Sequence, residues 1–303
     1  MPSQHLSFAQ DNSLSPCAPL CAGSPAVHSA PLPSQPTSVT IIKDTIGRYF
    51  ASFVVEIQQE VLPIVEDAVG IDLGLTHFAI LNNGEKIENP KHHKKQLKRI
   101  KRANRKLSRC KKDSNRRKVA KLKLARLHAK IKDSRTDFLH KLTTRLVREN
   151  QALAIEDLNV SGLVKNRKLS RAISDTGWYS FRMLLSAKCD KHGRHLSVIN
   201  RWEATSQKCS TCGNSGGKKE LHIREWECLH CGAVHDRDVN AANNIKVRRR
   251  SVSGSALVGY QRLQTDVGAS VRRVHPSYAV SRNTQGANQE RLHYAYMLRK
   301  INV

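Results

Sequence analysis

Apolar residues along this chain follow two rhythms. Between residues 39 and 88 they gather in short runs of strand formers, and between 91 and 132 they recur at helical spacing among charges. The segment VTIIKDTIGRYFASFVVEI predicts two strands around a turn at 44–47. Tyr49, Phe50, Phe53, Val54 and Val55 carry that expectation, because aromatic and β-branched side chains suit a pleated, half-buried surface. Further strands are predicted at 68–73 and 77–81. Asn82-Asn83-Gly84 then supplies a hairpin turn into a short strand near 86–88.

In the second rhythm, Leu97, Ile100, Leu107, Val119, Leu122, Leu124, Leu127 and Ile131 are spaced mostly by three, four or seven. This predicts amphipathic helices with one narrow apolar stripe. Asp113-Ser114-Asn115 is expected to break them into a helical hairpin. The run QALAIEDL at 151–158 predicts a buried strand ending in acids. Asp175 or Thr176 is expected to cap a helix reaching about His192, followed by a short strand at 196–199 and a helix at 238–250. Residues 1–38 are rich in Ser, Pro, Ala and Gln and cannot bury enough apolar surface to offset the entropy of ordering, so disorder is expected there. Residues 251–303 lose clear periodicity and are read as a poorly specified tail. The domain expected between them spans 39–250, with a basic helical insertion at 91–150 and a metal-binding ribbon at 205–235.

Charge sharpens this picture. Lys and Arg number 52 against 25 for Asp and Glu, a formal +27. Such a field attracts phosphate backbones whatever their sequence. A membrane surface is the competing polyanion, but no amphipathic helix with aromatic anchors is legible, and no apolar run is long enough to span a bilayer. The N-terminus shows no secretory pattern, and the expected location is the cytoplasm, on the nucleoid. Within 91–132 Lys and Arg fill about half the positions and Asp113 is the only acid. A block so one-sided repels itself unless an anion lies against it. The candidate nucleic-acid contacts are Lys94, Lys95, Lys98, Lys101, Arg102, Arg105, Arg116, Arg117 and Lys121.

Of the eight cysteines, four form two Cys-x-x-Cys pairs, Cys209/Cys212 and Cys228/Cys231, with fifteen residues between. Each pair predicts a tight knuckle aiming two thiolates at one point, and Gly213 and Gly232 follow where the backbone often turns left-handed. Two knuckles complete a tetrahedron around zinc. With four protein ligands no position stays open for chemistry, so this zinc is expected to be structural. Cys17, Cys21, Cys110 and Cys189 are scattered. His222, His230 and His235 are expected to be bystanders. Lys208, Lys218, Lys219, Arg224 and Trp226 are possible nucleic-acid contacts, with Trp226 equally suited to covering the ribbon's small core. Trp178 and Tyr179 are expected as core anchors.

Three acids stand in informative places: Asp72 in GIDLG, Glu156 in AIEDL and Asp238 in DRDVNAA. The first two interrupt apolar runs, and a buried carboxylate costs several kcal/mol unless paired or metal-bound. Converging carboxylates repel one another, and a divalent cation resolves that repulsion. Read singly, Asp238 or Asp236 also fits a plain helix N-cap, and Asp157 a strand-end turn.

Together, GIDLGL, AIEDLNV, TSQKCSTCG and HDRDVNAANNI resemble the TnpB (OrfB) family of insertion-sequence proteins, relatives of the type V CRISPR effector nucleases. The resemblance runs from about residue 39 to residue 250. It implies an α/β fold, an RNase H-like (RuvC) mixed sheet with flanking helices, carrying the basic helical hairpin and the zinc ribbon as insertions. It implies Asp72, Glu156 and Asp238 as catalytic acids holding two Mg²⁺ ions, and cleavage of DNA under a transposon-encoded guide RNA. Full family members carry a long N-terminal lobe that holds the guide and reads the target's flanking motif. Only about seventy residues precede Asp72 here, so that lobe is expected to be largely missing. Two alternatives stay open: a nucleic-acid-binding protein impaired in cutting, and a strand-transfer transposase using the same acids.

Overall fold

Alternating short strands and amphipathic helices build one layered unit around a five-stranded mixed sheet. The computed structural model describes residues 32, 34–57, 60–220, 222–252 and 292–301. The chain divides into two compact units, one of residues 1–58 with 268–303 and one of residues 59–267.

In the first unit, β1 (Ser38–Lys43) and β2 (Tyr49–Ile57) pair antiparallel around a turn, as their residue types predict. The Asp44 carboxylate closes the turn by accepting from the Ile46 and Arg48 amides. β10 (Leu292–Ile301) pairs antiparallel with the other edge of β2. These strands form their own sheet and do not join the five-stranded one. Of the segment expected to be disordered at 1–38, only residues 32 and 34–38 are described. Of the tail expected at 251–303, residues 251–252 and β10 are described.

The second unit holds β3 (Ala68–Leu73), β4 (His77–Leu81), β5 (Lys86–Glu88), β6 (Ala152–Glu156) and β7 (His195–Ile199). Their order is β5-β4-β3-β6-β7. The first three are antiparallel neighbours, and β6 and β7 run parallel to β3. This is the RNase H-like arrangement, a meander of three strands extended by two parallel ones. Parallel pairing needs crossovers, and helices supply them. α1 (His92–Ser108) and α2 (Asn115–Glu149) lead from β5 to β6. α3 (Val160–Val164), α4 (Ser170–Thr176) and α5 (Trp178–His192) lead from β6 to β7. β8 (Glu225–Glu227) and β9 (Val234–Asp236) form a two-stranded ribbon before α6 (Arg237–Val252). Among the described residues, no helix is long and apolar enough to cross a membrane.

Both faces of the sheet are covered. Phe78 of β4 meets Phe138 of α2 and Phe181 of α5 edge-on, each with ring centroids 5.2 Å apart. On the opposite face Ala154, Ile199 and Ile245 form an apolar cluster, which seats α6 on the sheet. Gly70 permits that seat. A Cβ there would overlap the Ala242 carbonyl oxygen and lie 2.7 Å from the Lys246 amide nitrogen, so no larger residue lets α6 approach β3 this closely.

The structure reassigns two polar residues. Asp175 or Thr176 is expected to cap the helix that follows, yet that helix starts after Gly177, which is left-handed at φ 73°. The Asp175 carboxylate instead accepts from the His93 amide at 2.9 and 3.0 Å, capping α1 across space. The basic helices do form a hairpin, with Asp113 left-handed at φ 62° and Ser114 accepting from the Arg117 amide at 3.2 Å to cap α2. Arg117, expected to touch nucleic acid, is half-buried and donates to the Leu107 and Cys110 carbonyls at 3.1 and 3.2 Å. It clasps the end of α1 to the start of α2. Sequence spacing could not show this, because the carbonyls it satisfies come free only where α1 ends.

Candidate functional site

Side chains alternate across a strand, so Asp72 faces the same way as Gly70, and Glu156 the same way as Ala154. Gly70 and Ala154 are directly paired partners in the parallel register of β3 and β6. That register carries both acids to the C-terminal edge of neighbouring strands, on the face that α6 covers. Asp238 lies in the first turn of α6 and completes the group. The three acids lie near enough for their charges to act on one another. Burial first, then the negative charges of Glu156 and Asp238, push the Asp72 carboxyl up to about 8, against the pull of Arg237 and the Leu73 amide. Asp72 still keeps a partly exposed edge, although protein atoms crowd most of it. Burial also raises Glu156, and a hydrogen bond donated by the Thr205 hydroxyl offsets part of that rise.

Asp236 and Asp238 divide their labour. Asp236 Oδ1 accepts from the amides of Asp238 and Val239, both at 3.0 Å, so it caps α6. Its Oδ2 takes the Lys86 ammonium at 2.6 Å. Burial alone would raise Asp236, but Lys86 and the two amides outweigh it and hold the carboxyl below its usual range. Asp238 makes no such cap: its charge acts on Asp72, and its Oδ1 and Oδ2 lie 3.5 and 3.3 Å from Arg224 Nη1.

The four cysteine sulfurs lie within 4.8 Å of one another. Cys209 Sγ is 3.7 Å from Cys231 Sγ, and Cys212 Sγ is 3.6 Å from Cys228 Sγ. A tetrahedron with metal–sulfur bonds of about 2.3 Å has edges of roughly 3.8 Å, so the tetrad fits a thiolate-bound ion. Gly213 and Gly232 are left-handed at φ 78° and 67°, and their amides donate back to the Cys209 and Cys228 carbonyls at 2.9 and 2.8 Å. Four thiols this close cannot ionise alike without an ion. Burial works to raise Cys209, but the Cys212 amide and His235 help draw it to about 5. For Cys231 the Ala233 amide is outweighed by burial and the other sulfurs, and the thiol rises to about 12. His235, expected as a bystander, places Nε2 3.0 Å from Cys209 Sγ. Trp226 packs against Cys209, Cys228 and Ile223, with the Lys219 ammonium 3.5 Å above its ring, so it covers the ribbon core.

Two asparagines tie ribbon to acids. Asn240 is buried; its Oδ1 accepts from the Ser210 amide at 2.8 Å and its Nδ2 donates to the Lys208 carbonyl at 2.7 Å. Asn244, one turn later, donates to the Thr205 and Lys208 carbonyls at 2.7 and 2.8 Å. One helix therefore carries Asp238, grips the first knuckle and anchors the segment whose Thr205 hydroxyl reaches Glu156. Sequence reading singled out neither asparagine nor Thr205, although the 240/244 spacing is the one that puts two side chains on one helix face.

Among the candidate basic contacts, Lys94, Lys95, Lys98, Lys101, Arg102, Arg105, Arg116 and Lys121 are all exposed along α1 and the start of α2. A cleft of about 1170 Å³ at the turn of this hairpin is lined by Arg102, Arg105, Lys106, Arg109 and Arg116 among others. Asp157, next to Glu156, is held below its usual range, first by Arg201 and then by Arg182. Trp178 is buried as a core anchor, whereas Tyr179 is exposed.

Comparison with known proteins agrees with these motifs. Residues 52–167 match the OrfB_IS605 family, described as "Probable transposase", and residues 178–245 match the "Cas12f1-like, TNB domain". A Streptomyces pristinaespiralis protein named "Putative RNA-guided DNA endonuclease" is 53% identical over 219 residues, covering 72% of this chain and 54% of its own. Escherichia coli InsQ, named in the same way, is 32% identical, covering 67% of this chain and 54% of its own. The chain thus spans about half the length of the curated relatives it matches. A solved Cas12f1–guide RNA–target DNA complex is similar at TM-score 0.45 and 16% identity, over 62% of this chain and 52% of that one. Motifs in one order and two adjoining family matches agree with these relatives, and the chain belongs to the TnpB (OrfB) family of insertion-sequence proteins.

Proposed function

We propose that this chain is a transposon-associated, metal-dependent DNA endonuclease, guided by RNA as its relatives are named. The single observation that supports it best is the meeting of Asp72, Glu156 and Asp238 on one face of the sheet, with Asp72 driven up to about 8 by burial and by the other two. Hard carboxylate oxygens suit Mg²⁺, and a cation removes the repulsion that raises Asp72. When bound there, Mg²⁺ would stabilise the developing charge on a phosphodiester during hydrolysis. The chain's own part is to aim the acids. Thr205 orients Glu156, and Asp236 with Lys86 fixes the start of α6 and hence Asp238. The four thiolates would hold zinc with no open position, a structural ion that keeps the ribbon folded against α6. The exposed basic residues of the helical hairpin would grip a guide–target duplex by its backbone, where charge rather than sequence decides affinity.

The test is cleavage of labelled single-stranded DNA by the purified protein, with and without Mg²⁺ and with and without RNA co-purified from cells expressing the flanking transposon. Mg²⁺-dependent cutting is expected. The double variant Asp72→Ala, Glu156→Ala should bind the same DNA and leave it whole. Cutting by that variant at the wild-type rate refutes the assignment.

A further inference from the structure

We propose that Trp202 is a stacking platform for an unpaired DNA base at the rim of the acidic site, a role that rests on the nuclease reading above. The chain has three tryptophans. Trp178 and Trp226 are 6% and 9% exposed, whereas Trp202 is 85% exposed. An indole left in water gives up the burial that usually justifies its size. Here the exposure is built in, because the segment that displays it is braced on both sides.

The segment begins where β7 ends. Ile199 is the register partner of Glu156, and its carbonyl accepts from the Asp157 amide at 3.0 Å. Asn200 Oδ1 then accepts from the Trp202 amide at 3.1 Å, and the Asn200 carbonyl from the Glu203 amide at 3.1 Å. The Arg201 guanidinium is paired with Asp157, and Glu203 with Arg248 at 3.5 Å. Three residues beyond Trp202, the Thr205 hydroxyl hydrogen-bonds Glu156 itself. Both ends of the segment are thus pinned to Glu156 or its neighbour, while the indole between them stays 85% exposed. An apolar face fixed beside a phosphodiester-directed acid cluster suits the flat face of a nucleobase. Every base has such a face, so the contact tolerates any sequence. Arg182, Arg201 and Arg248 lie along the same segment, where their guanidinium groups can meet the strand's phosphates.

Intrinsic fluorescence tests this directly, because the other two indoles are shielded. The full chain, in buffer without Mg²⁺, is titrated with a thymidine oligonucleotide, while fluorescence anisotropy of the same labelled oligonucleotide gives Kd. Tryptophan emission should be quenched in step with binding, and an abasic oligonucleotide of equal charge should quench far less. Trp202→Phe should keep the wild-type Kd, and Trp202→Ala should weaken it about thirtyfold, the middle of the range for one stacked base. Binding that saturates by anisotropy with no quenching overturns the proposal. So does quenching by RNA of the same length but not by DNA. If Trp202→Ala does not fold, the wild-type quenching and the abasic control decide. Quenching without any Mg²⁺-dependent cutting sinks the nuclease reading alone, and cutting without quenching sinks the stacking role alone.

Discussion

Replacing Asp72 by Asn removes a charge while keeping the shape of the side chain, and the acid cluster should become more stable for it when Mg²⁺ is absent. The carboxyl rises from 3.8 to about 8 on folding. The folded chain therefore binds more protons than the unfolded chain between those values, and stability falls as pH climbs through that window. A rise of about four pKa units corresponds to at most ~5–6 kcal/mol at about 1.36 kcal/mol per unit. Solvent reaching the exposed edge of Asp72 and relaxation of the site lower this to on the order of 2 kcal/mol. For a unit of this size, that is a melting shift of roughly 4–8 °C. Thermal melts at pH 5 and pH 9, in buffer depleted of Mg²⁺ but retaining zinc, read the difference. The Asn variant should gain on the wild type as pH rises, and saturating Mg²⁺ should shrink the gap by binding the native acids. Equal melting temperatures at pH 9 without Mg²⁺, or a gap that Mg²⁺ leaves unchanged, would refute the reasoning.

Two other perturbations probe how the ribbon serves the acids. Cys228→Ser should lose zinc, read as metal per chain by mass spectrometry, and should also lose Mg²⁺-dependent cutting; retention of full cutting without zinc would uncouple the two sites. Asn240→Ala leaves the buried Ser210 amide and Lys208 carbonyl without their partner. It should destabilise the fold by about 1–3 kcal/mol in denaturant unfolding and lower cutting more than DNA binding; an unchanged unfolding midpoint would remove the asparagine from the argument.

Much of the site was legible from residue order. The cysteine spacing named all four thiols that meet, because a knuckle is a local shape set by two residues between thiols and a glycine after them. The three acids could be nominated because each breaks an apolar run or opens a helix. What stayed hidden was their company. Thr205, Arg224, Lys86 and His235 act on groups 14 to 150 residues away or across the ribbon, and no periodicity marks such pairs. Asp175 and Arg117 carry the same lesson, each satisfying backbone groups of a helix it does not begin.

By itself the sequence determined the strands at 68–73, 77–81 and 86–88, the basic helical hairpin and the cysteine tetrad. Alternation, helical spacing and short-range turns are properties of neighbouring residues, and the structure places each where they indicate. Only the tertiary structure decided that Asp236 caps α6, why residue 70 must lack a side chain, and that one tryptophan remains in water. Those outcomes depend on the parallel register of β3 with β6 and on the seating of α6 against it, contacts between residues far apart in sequence that no local pattern encodes.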